Sequence, residues 1–359
     1  MGFPHSEAMS SVQITRALPA SISVVVPAYN EEEVLDEFYR RTVSVLAGIG
    51  APYEIVFVND GSTDRTWFIM NQLRKSDPSI SAVNLSRNFG KEIALTAGLD
   101  ESCGEVVIVI DADLQDPPEL IPKLLDGWRE GFDVVYAVRT EREGETWLKK
   151  KTASIFYRVI QSVSRIKIPK DTGDFRLMSR RAIDALSQLR EHHRFMKGLF
   201  SWVGFPSKPI YYRREPRAAG QTKWNYWKLW NFALEGITSF TVAPLKMATY
   251  IGLVVASLSF LYAVFVIYKT LRYGDPVQGY PSLMVVILFI GGTQLVCTGI
   301  IGEYLGRVFN EVKQRPLYVV SERRLSGIKA AAVKGSLAAD EAELPQASHS
   351  IIRNEQTLS

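Results

Sequence analysis

The chain has 359 residues, 47% of them hydrophobic and 22% charged, with a net charge of +4. This excludes a wholly disordered or collagen-like chain, and the positive excess is too small for a protein that coats nucleic acid. Cys103 and Cys297 stand far apart with no CxxC or Cys/His pair at zinc spacing, so neither a disulfide scaffold nor a thiolate-metal site is expected.

The first 20 residues contain no long apolar run, so a flexible N-terminus without a cleavable signal peptide is expected. Beyond it, Ser21 to Val26, Glu54 to Val58, Ile80 to Leu85 and Glu105 to Ile110 are short runs rich in Val and Ile, and read as buried strands. Glu31 to Leu46, Asp64 to Arg74 and Lys91 to Glu101 have helical composition, with Asn30 and Ser62 expected as N-caps. The βαβα order predicts an α/β domain, a mostly parallel sheet with helices on both faces. Ligands of such sheets bind at the carboxyl ends of the strands. Those ends read PAYNE at 27–31, NDGSTD at 59–64 and DADLQD at 111–116, and so bring carboxylates to one rim.

Any one of these segments could be a turn or a cap. Together they suggest a nucleotide held by Asp60 at its base or ribose, with Asp113 ligating a divalent cation. A pyrophosphate beside carboxylates is repelled unless Mg²⁺ or Mn²⁺ bridges them, and such ions take one or two carboxylates plus phosphate oxygens. No GxxxxGK[ST] loop occurs, and no GxGxxG follows the first strand, which argues against ATPase, GTPase and dinucleotide readings.

Further along, Trp147 to Ile166 sets Leu148, Ile155, Val159, Val163 and Ile166 on a helical stripe among basic residues, the pattern of an interfacial helix. Trp224, Trp227 and Trp230 follow in a basic stretch, as in an aromatic belt. Then come 22 residues without a charge between Lys246 and Lys269, and 27 more between Asp275 and Glu303. About 20 apolar residues span a bilayer core as a helix, so a transmembrane hairpin is expected. An even number of spans would leave both termini in the cytoplasm, and Lys269 and Arg272 in the connecting loop are outnumbered by the flanking basic residues. Residues after about Ser321 read as a mobile tail.

The segments PAYNE (27–31), VNDGSTD (58–64), LSRNFGKEIAL (85–95), DADLQDPPE (111–119) and TGDFRLMSRRA (172–182) resemble family 2 glycosyltransferases of the GT-A fold. More narrowly they resemble the polyprenyl-phosphate glycosyltransferases, and with GEYLGRVFNEVKQRPLY at 302–318 the bactoprenol glucosyltransferase group. The resemblance implies that Pro27, Tyr29, Glu31, Val58, Asp60, Asp111 and Ala112 line the nucleotide-sugar pocket, and that Asp113 and Gln115 hold Mg²⁺ or Mn²⁺. It implies that Arg139, Arg217 and Lys223 contact the donor diphosphate and that Asp174 is the catalytic carboxylate. Asn59 stands where many relatives have a second Asp. Arg176 is a candidate for the acceptor phosphate, and the alternative for Asp174 is a carboxylate capping the Ser179 to Leu189 helix.

The organisation expected is a flexible N-terminus (1–20), a cytoplasmic catalytic domain (21–222) with an interfacial helix at about 147–166, and a juxtamembrane segment (223–243). Two transmembrane helices within 244–306, at about 246–269 and 281–303, and a cytoplasmic segment with a disordered tail (307–359) complete it. The activity expected is inverting transfer of a hexose, from UDP-glucose, to undecaprenyl or another polyprenyl phosphate at the cytoplasmic membrane. Partners are then the donor, the lipid and the membrane, with no nucleic acid and with homo-oligomers allowed. GDP-mannose, a uronic acid or an aminoarabinose-type donor is the alternative within the reaction class. A non-catalytic scaffold or flippase component is the alternative outside it.

Overall fold

The computed structural model describes residues 16–140, 172–192, 194–212, 243–273 and 279–326. The expected interfacial helix at 147–166, the tryptophans at 224, 227 and 230, and Arg217 and Lys223 lie outside the described residues. An eight-stranded sheet organises the rest. Its strands are β1 (Ile22–Ala28), β2 (Tyr53–Asn59), β3 (Ile80–Leu85), β4 (Val106–Val109), β5 (Val134–Arg139), β6 (Thr172–Ser179), β7 (Ser207–Tyr212) and β8 (Val320–Arg324), in the order β7-β5-β6-β4-β1-β2-β3-β8.

The pairs β1–β2, β1–β4, β2–β3 and β5–β7 are parallel, whereas β6 runs antiparallel between β4 and β5, and β8 runs antiparallel along β3. The mostly parallel sheet is therefore present, with two inserted reversals that the sequence did not announce. The reversal at β6 matters for the site, because it carries the first residues of that strand to the rim where the parallel strands end.

Helices cover both faces. On one, α1 (Leu35–Ile49), α2 (Thr66–Ser76) and α4 (Ile121–Arg129) bury Leu35, Phe38, Met70 and Leu124 against Val24, Phe57 and Phe175. On the other, α3 (Lys91–Glu101), α5 (Arg180–Ser187) and α6 (Met196–Trp202) bury Leu95, Ile183 and Leu199 against Val25, Val58 and Met178. Strand side chains alternate between faces, so Phe175 and Leu177 enter the first core, and Asp174, Arg176 and Met178 face α3 and α6.

The caps differ from expectation. Helices α1 and α2 begin at Leu35 and Thr66, and Val34 and Arg65 precede them without side-chain caps. Asn30 and Ser62 instead lace the two loops together: the Asn30 amide donates to Ser62 Oγ at 3.0 Å, and the Thr63 amide donates to Asn30 Oδ1 at 2.9 Å. Two adjacent strand-end loops are thus fixed to each other rather than each to its own helix.

The uncharged segments form two long helices, α7 (Ala243–Tyr273) and α8 (Tyr280–Val312), packed side by side. Among the described residues no helix is long and apolar enough to cross a membrane; several side chains inside α7 and α8 are outside the description. The helices contain the segments expected to span, and expose Leu258, Phe260, Phe265, Phe289 and Leu295.

The mobile tail expected from Ser321 is corrected in part. Residues Val320–Arg324 form β8, and the clamp extends to both sides of it. The Ser86 amide donates to the Val319 carbonyl (2.9 Å), Tyr318 Oη to Asp100 (2.8 Å) and the Ser326 amide to Ser81 Oγ (2.8 Å). Arg323 pairs with Glu101 at 2.7 Å. Charged, alternating VSERR has no apolar signal because it is an edge strand, where charge discourages further pairing. Since β8 follows α8 and lies on the sheet, the chain re-enters the same body it left before the hairpin.

Candidate active site

The rim is assembled by the register of the central strands. Val26 pairs with Phe57 and Ala28 with Asn59, and the Asp60 amide donates to the Ala28 carbonyl at 3.0 Å. Asp60 is 3% exposed. Its carboxylate accepts the amides of Phe89 (2.7 Å) and Gly90 (3.0 Å), and burial raises its pKa against the pull of those two bonds and of Arg87. Gly61 beside it, at φ 64°, lies so close to the backbone of Arg87 and Asn88 that a Cβ would sit 2.4 Å from Arg87 C. The end of β2 therefore sets the entry of α3, and α3 opens with Lys91.

Lys91 Nζ bridges two carboxylates, donating to Asp111 Oδ2 at 2.7 Å and to Asp174 Oδ2 at 2.6 Å. Asp111 follows β4, and Asp174 stands in the first half of antiparallel β6; the Ser179 to Leu189 helix that it was expected to cap starts at Arg180, after Ser179. The capping alternative therefore fails. Burial alone would raise the Asp174 carboxyl, but Lys91 and Lys197 outweigh it and hold it well below the usual carboxylate range. Asp111 is raised by burial, and by the nearby charges of Asp174 and Asp113, beyond what Lys91 offsets. Glu92, half-buried at the start of α3 and facing the charge of Asp174, is raised to about 7 despite Lys91 and Lys197. One lysine thus joins two strand ends whose carboxylates would otherwise repel each other.

Two further arginines frame this centre. Arg139, at the end of β5, lies 3.8 Å from Asp116 Oδ1, and its Nε donates to Tyr212 Oη at 3.4 Å. Tyr212 Oη in turn donates to Asp116 Oδ1. Gly173 permits this approach, since a Cβ there would sit 3.0 Å from the Arg139 guanidinium. Arg176 is buried; it donates to the carbonyls of Gly173 (2.9 Å) and Asp174 (3.2 Å) and lies over the Phe200 ring at 3.7 Å. Its pKa is lowered to about 10 by burial, against the pull of Asp174 and Glu92.

Of the residues expected from sequence, Asp111 and Asp174 are joined directly through Lys91, and Asp113 lies two positions beyond Asp111 on the loop after β4. Asp113 Oδ1 accepts the Gln115 amide at 3.2 Å. Tyr29 is 41% exposed at the end of β1, with Glu31 next along the same loop. Pro27 and Ala112 are buried, and Val58 packs in the core beneath α3, so these three offer backbone rather than side chains to a pocket. Lys91, Glu92, Asp116, Lys197 and Tyr212 were not assigned from sequence. The first residue of the helix after β3 falls under the same strand-end rule that singled out Asp60 and Asp111, so Lys91 was findable; no pattern marks Lys197 or Tyr212.

The oxygen donors fit a hard divalent ion. Asp111, Asp113 and Gln115 supply only oxygen ligands, and among the described residues the buried atoms Asp174 Oδ1 and Asp116 Oδ2 have no hydrogen-bond partner. Among the described residues no group of three or more His, Cys, Asp or Glu forms an all-protein metal cage. A magnesium-type site has no need of one, since one or two carboxylates plus substrate phosphates and water complete it.

The chain is similar to known proteins over most of its length. Residues 23–187 match the model of Glycosyl transferase family 2, and residues 243–308 that of the GtrB C-terminal hairpin. The chain is 58% identical over 301 residues to an uncharacterized glycosyltransferase of Synechocystis sp., covering 84% of this chain and 95% of that one. It is 52% identical over 303 residues to a bactoprenol glucosyl transferase of Shigella phage SfII, covering 84% and 97%. Among solved structures, glucosyl-3-phosphoglycerate synthase from Mycobacterium tuberculosis with Mn²⁺, UDP and phosphoglyceric acid is 19% identical, with a TM-score of 0.41 over 56% of this chain and 72% of that one.

Proposed function

Because this chain belongs to glycosyl transferase family 2, we propose that it is an inverting transferase that moves a hexose from a nucleotide sugar, UDP-glucose, to the phosphate of a polyprenyl lipid. The observation that carries this reading is the Lys91 bridge, which ties the DADLQD loop to Asp174 at the rim where a donor of this fold class is bound. The bactoprenol glucosyl transferases that the chain resembles at about half of all positions support the lipid acceptor and the glucosyl donor.

In this reading Tyr29, Glu31, Asp60 and Asp111, with the backbone at Pro27, Val58 and Ala112, surround the nucleotide. Asp113 and Gln115 would hold Mg²⁺ or Mn²⁺, which when bound neutralises charge on the leaving diphosphate. Arg139, oriented by Asp116 and Tyr212, offers a preorganised guanidinium to the same charge; Arg217 and Lys223 are assigned to it by family resemblance. A lipid phosphate is mostly dianionic at neutral pH, with a second pKa of about 6, and is therefore already a nucleophile. Asp174, kept ionised by its bond to Lys91 and by the nearby charge of Lys197, orients that acceptor. Attack opposite the diphosphate inverts the anomeric carbon.

A lipid acceptor accounts for the hairpin. Helices α7 and α8 are 31 and 33 residues long, against the roughly 20 residues that a bilayer core requires. Their exposed Leu, Phe and Val side chains would meet water in a soluble protein, at about 25 cal/mol per Å² of apolar surface. We assign them as a membrane hairpin with the catalytic body and β8 together on the cytoplasmic side. The return of the chain to the sheet at β8 supports an even number of crossings.

The test incubates membranes containing the full chain with labelled UDP-glucose or GDP-mannose and undecaprenyl phosphate. Label in the lipid from UDP-glucose, lost with Asp113→Asn, is expected. Label from GDP-mannose alone would reassign the donor, and no lipid label from any nucleotide sugar would favour a scaffold role.

A further inference from the structure

Beside the reaction centre lies a second polar cavity, of about 100 Å³, between β5, β6, β7 and α6. Its polar walls are Thr172, Arg176, Lys197, Ser201 and Ser207, with Tyr136 and Phe200 among the aromatic lining. That is well below the roughly 300 Å³ at which pockets for drug-sized ligands begin, so it suits a small group rather than a nucleotide. Side chains two apart on a strand share a face, so Asp174 lies on the same face of β6 as the lining residues Thr172 and Arg176.

Lys197 is the unusual member. It is partly exposed on the second residue of α6, between the core residues Met196 and Leu199. Among the described residues its ammonium makes neither a hydrogen bond nor an ion pair within 4 Å, whereas Lys91 has two carboxylates and Arg176 two carbonyls. Taking a cation even partly out of water without a bonded partner is costly, and burial, with the repulsion of Lys91 and Arg139, lowers its pKa, only partly countered by the more distant charges of Asp174 and Glu92. An ammonium so placed is completed by an anion. A planar carboxylate would meet Arg176 poorly, because the guanidinium is already used edge-on by the Gly173 and Asp174 carbonyls and face-on by Phe200. A phosphate dianion needs no free guanidinium edge: it can accept from Lys197, and the Ser201 hydroxyl, which donates to the Lys197 carbonyl at 3.1 Å, can turn to it.

Resting on the transferase reading above, we infer that this cavity is the seat of the acceptor's phosphomonoester, with Lys197 as the residue that binds it and Arg176 as a buried charge that supports it. Asp174 then stands at the phosphate's edge, where a repelling carboxylate is tolerable only because Lys91 and Lys197 flank it. The occupant's shared chemistry is a phosphate dianion, with a lipid monophosphate and free phosphate as its two sources.

The experiment uses the full chain in detergent, with Lys197→Gln, Lys197→Arg and wild type. Retention of detergent-dispersed polyprenyl phosphate, relative to the unphosphorylated polyprenol, is measured without donor; transfer kinetics follow with both substrates varied. Expected are a loss of the phosphate-dependent retention in Lys197→Gln, a KM for the lipid raised tenfold or more with the donor KM unchanged, and recovery of most of both in Lys197→Arg. Inorganic phosphate should compete with the lipid in wild type and lose that effect in Lys197→Gln. A donor KM that rises while lipid binding holds would overturn the assignment and give the cavity to the diphosphate. Inhibition by phosphate with no lipid preference would make it a free-phosphate site and overturn it too. Failure of the transferase reading is distinguishable: transfer would be absent in wild type, while phosphate-dependent retention and its loss in Lys197→Gln would persist.

Discussion

Lys91 and Asp174 are 83 positions apart in the chain, and their charged atoms meet at 2.6 Å. The contact needs β2 to set the entry of α3, and an antiparallel β6 to bring Asp174 to the same rim. It makes Lys91 the residue on which the acidic loop and the carboxylate proposed as catalytic depend together.

Replacing Lys91 by Met should reduce glycosyl transfer by about 100-fold, in the range expected for removing an electrostatic group from a preorganised site, with Lys91→Arg retaining part of it. The side chain is 46% exposed, so the stability cost is modest, about 1 to 2 kcal/mol. Because the Asp174 pKa is depressed in the folded state, its contribution is present above the unfolded value of about 3.9 and is lost as pH falls through the folded one. The stability gap between wild type and Lys91→Met in urea should thus be full at neutral pH and close in strong acid.

Glu92 carries the opposite sign. Its carboxyl is raised to about 7 by burial and by Asp174; the stability tied to its proton is complete below about pH 4.3 and is lost as pH rises through about 7. Glu92→Gln should equal wild type near pH 4 and exceed it by about 1 to 2 kcal/mol at pH 8. Denaturant midpoints across that range check this; a gap independent of pH would show that the proton on Glu92 is not the cause.

Gly61→Ala should be among the most damaging substitutions at a position that offers no side chain to the site. Its φ of 64° disfavours a side chain, and the added carbon would meet Arg87 C at 2.4 Å and Asn88 N at 2.5 Å, backbone atoms that can yield only by moving the 87–90 loop. The cost is about 3 kcal/mol, and transfer should fall further than the folded fraction, since that loop sets Lys91. Thermal unfolding and specific activity per folded molecule separate the two.

Tyr212→Phe removes the hydroxyl that holds Asp116 and Arg139 together. A hydrogen bond to a charged group is worth about 1.5 to 3 kcal/mol, so the donor KM should rise about tenfold or more while the lipid KM stays. Equal changes in both constants would point to a general disturbance of β7 instead.

The sequence by itself determined the βαβα core, the acidic rim and the uncharged hairpin helices, because each is written locally: Val/Ile runs for buried strands, Asp and Asn at their ends, long apolar stretches without charge. It placed Asp111, Asp113 and Asp174 in one site by resemblance. Only the tertiary structure decided how they are joined. The antiparallel turn of β6, the use of Asn30 and Ser62 as loop ties rather than caps, the return of VSERR to an edge of the sheet, and the partners of Lys91 and Arg139 all depend on contacts between segments far apart in the chain. Such contacts leave no local period or composition to read, because a lysine on a helix looks the same whether it faces water or closes a ring of carboxylates.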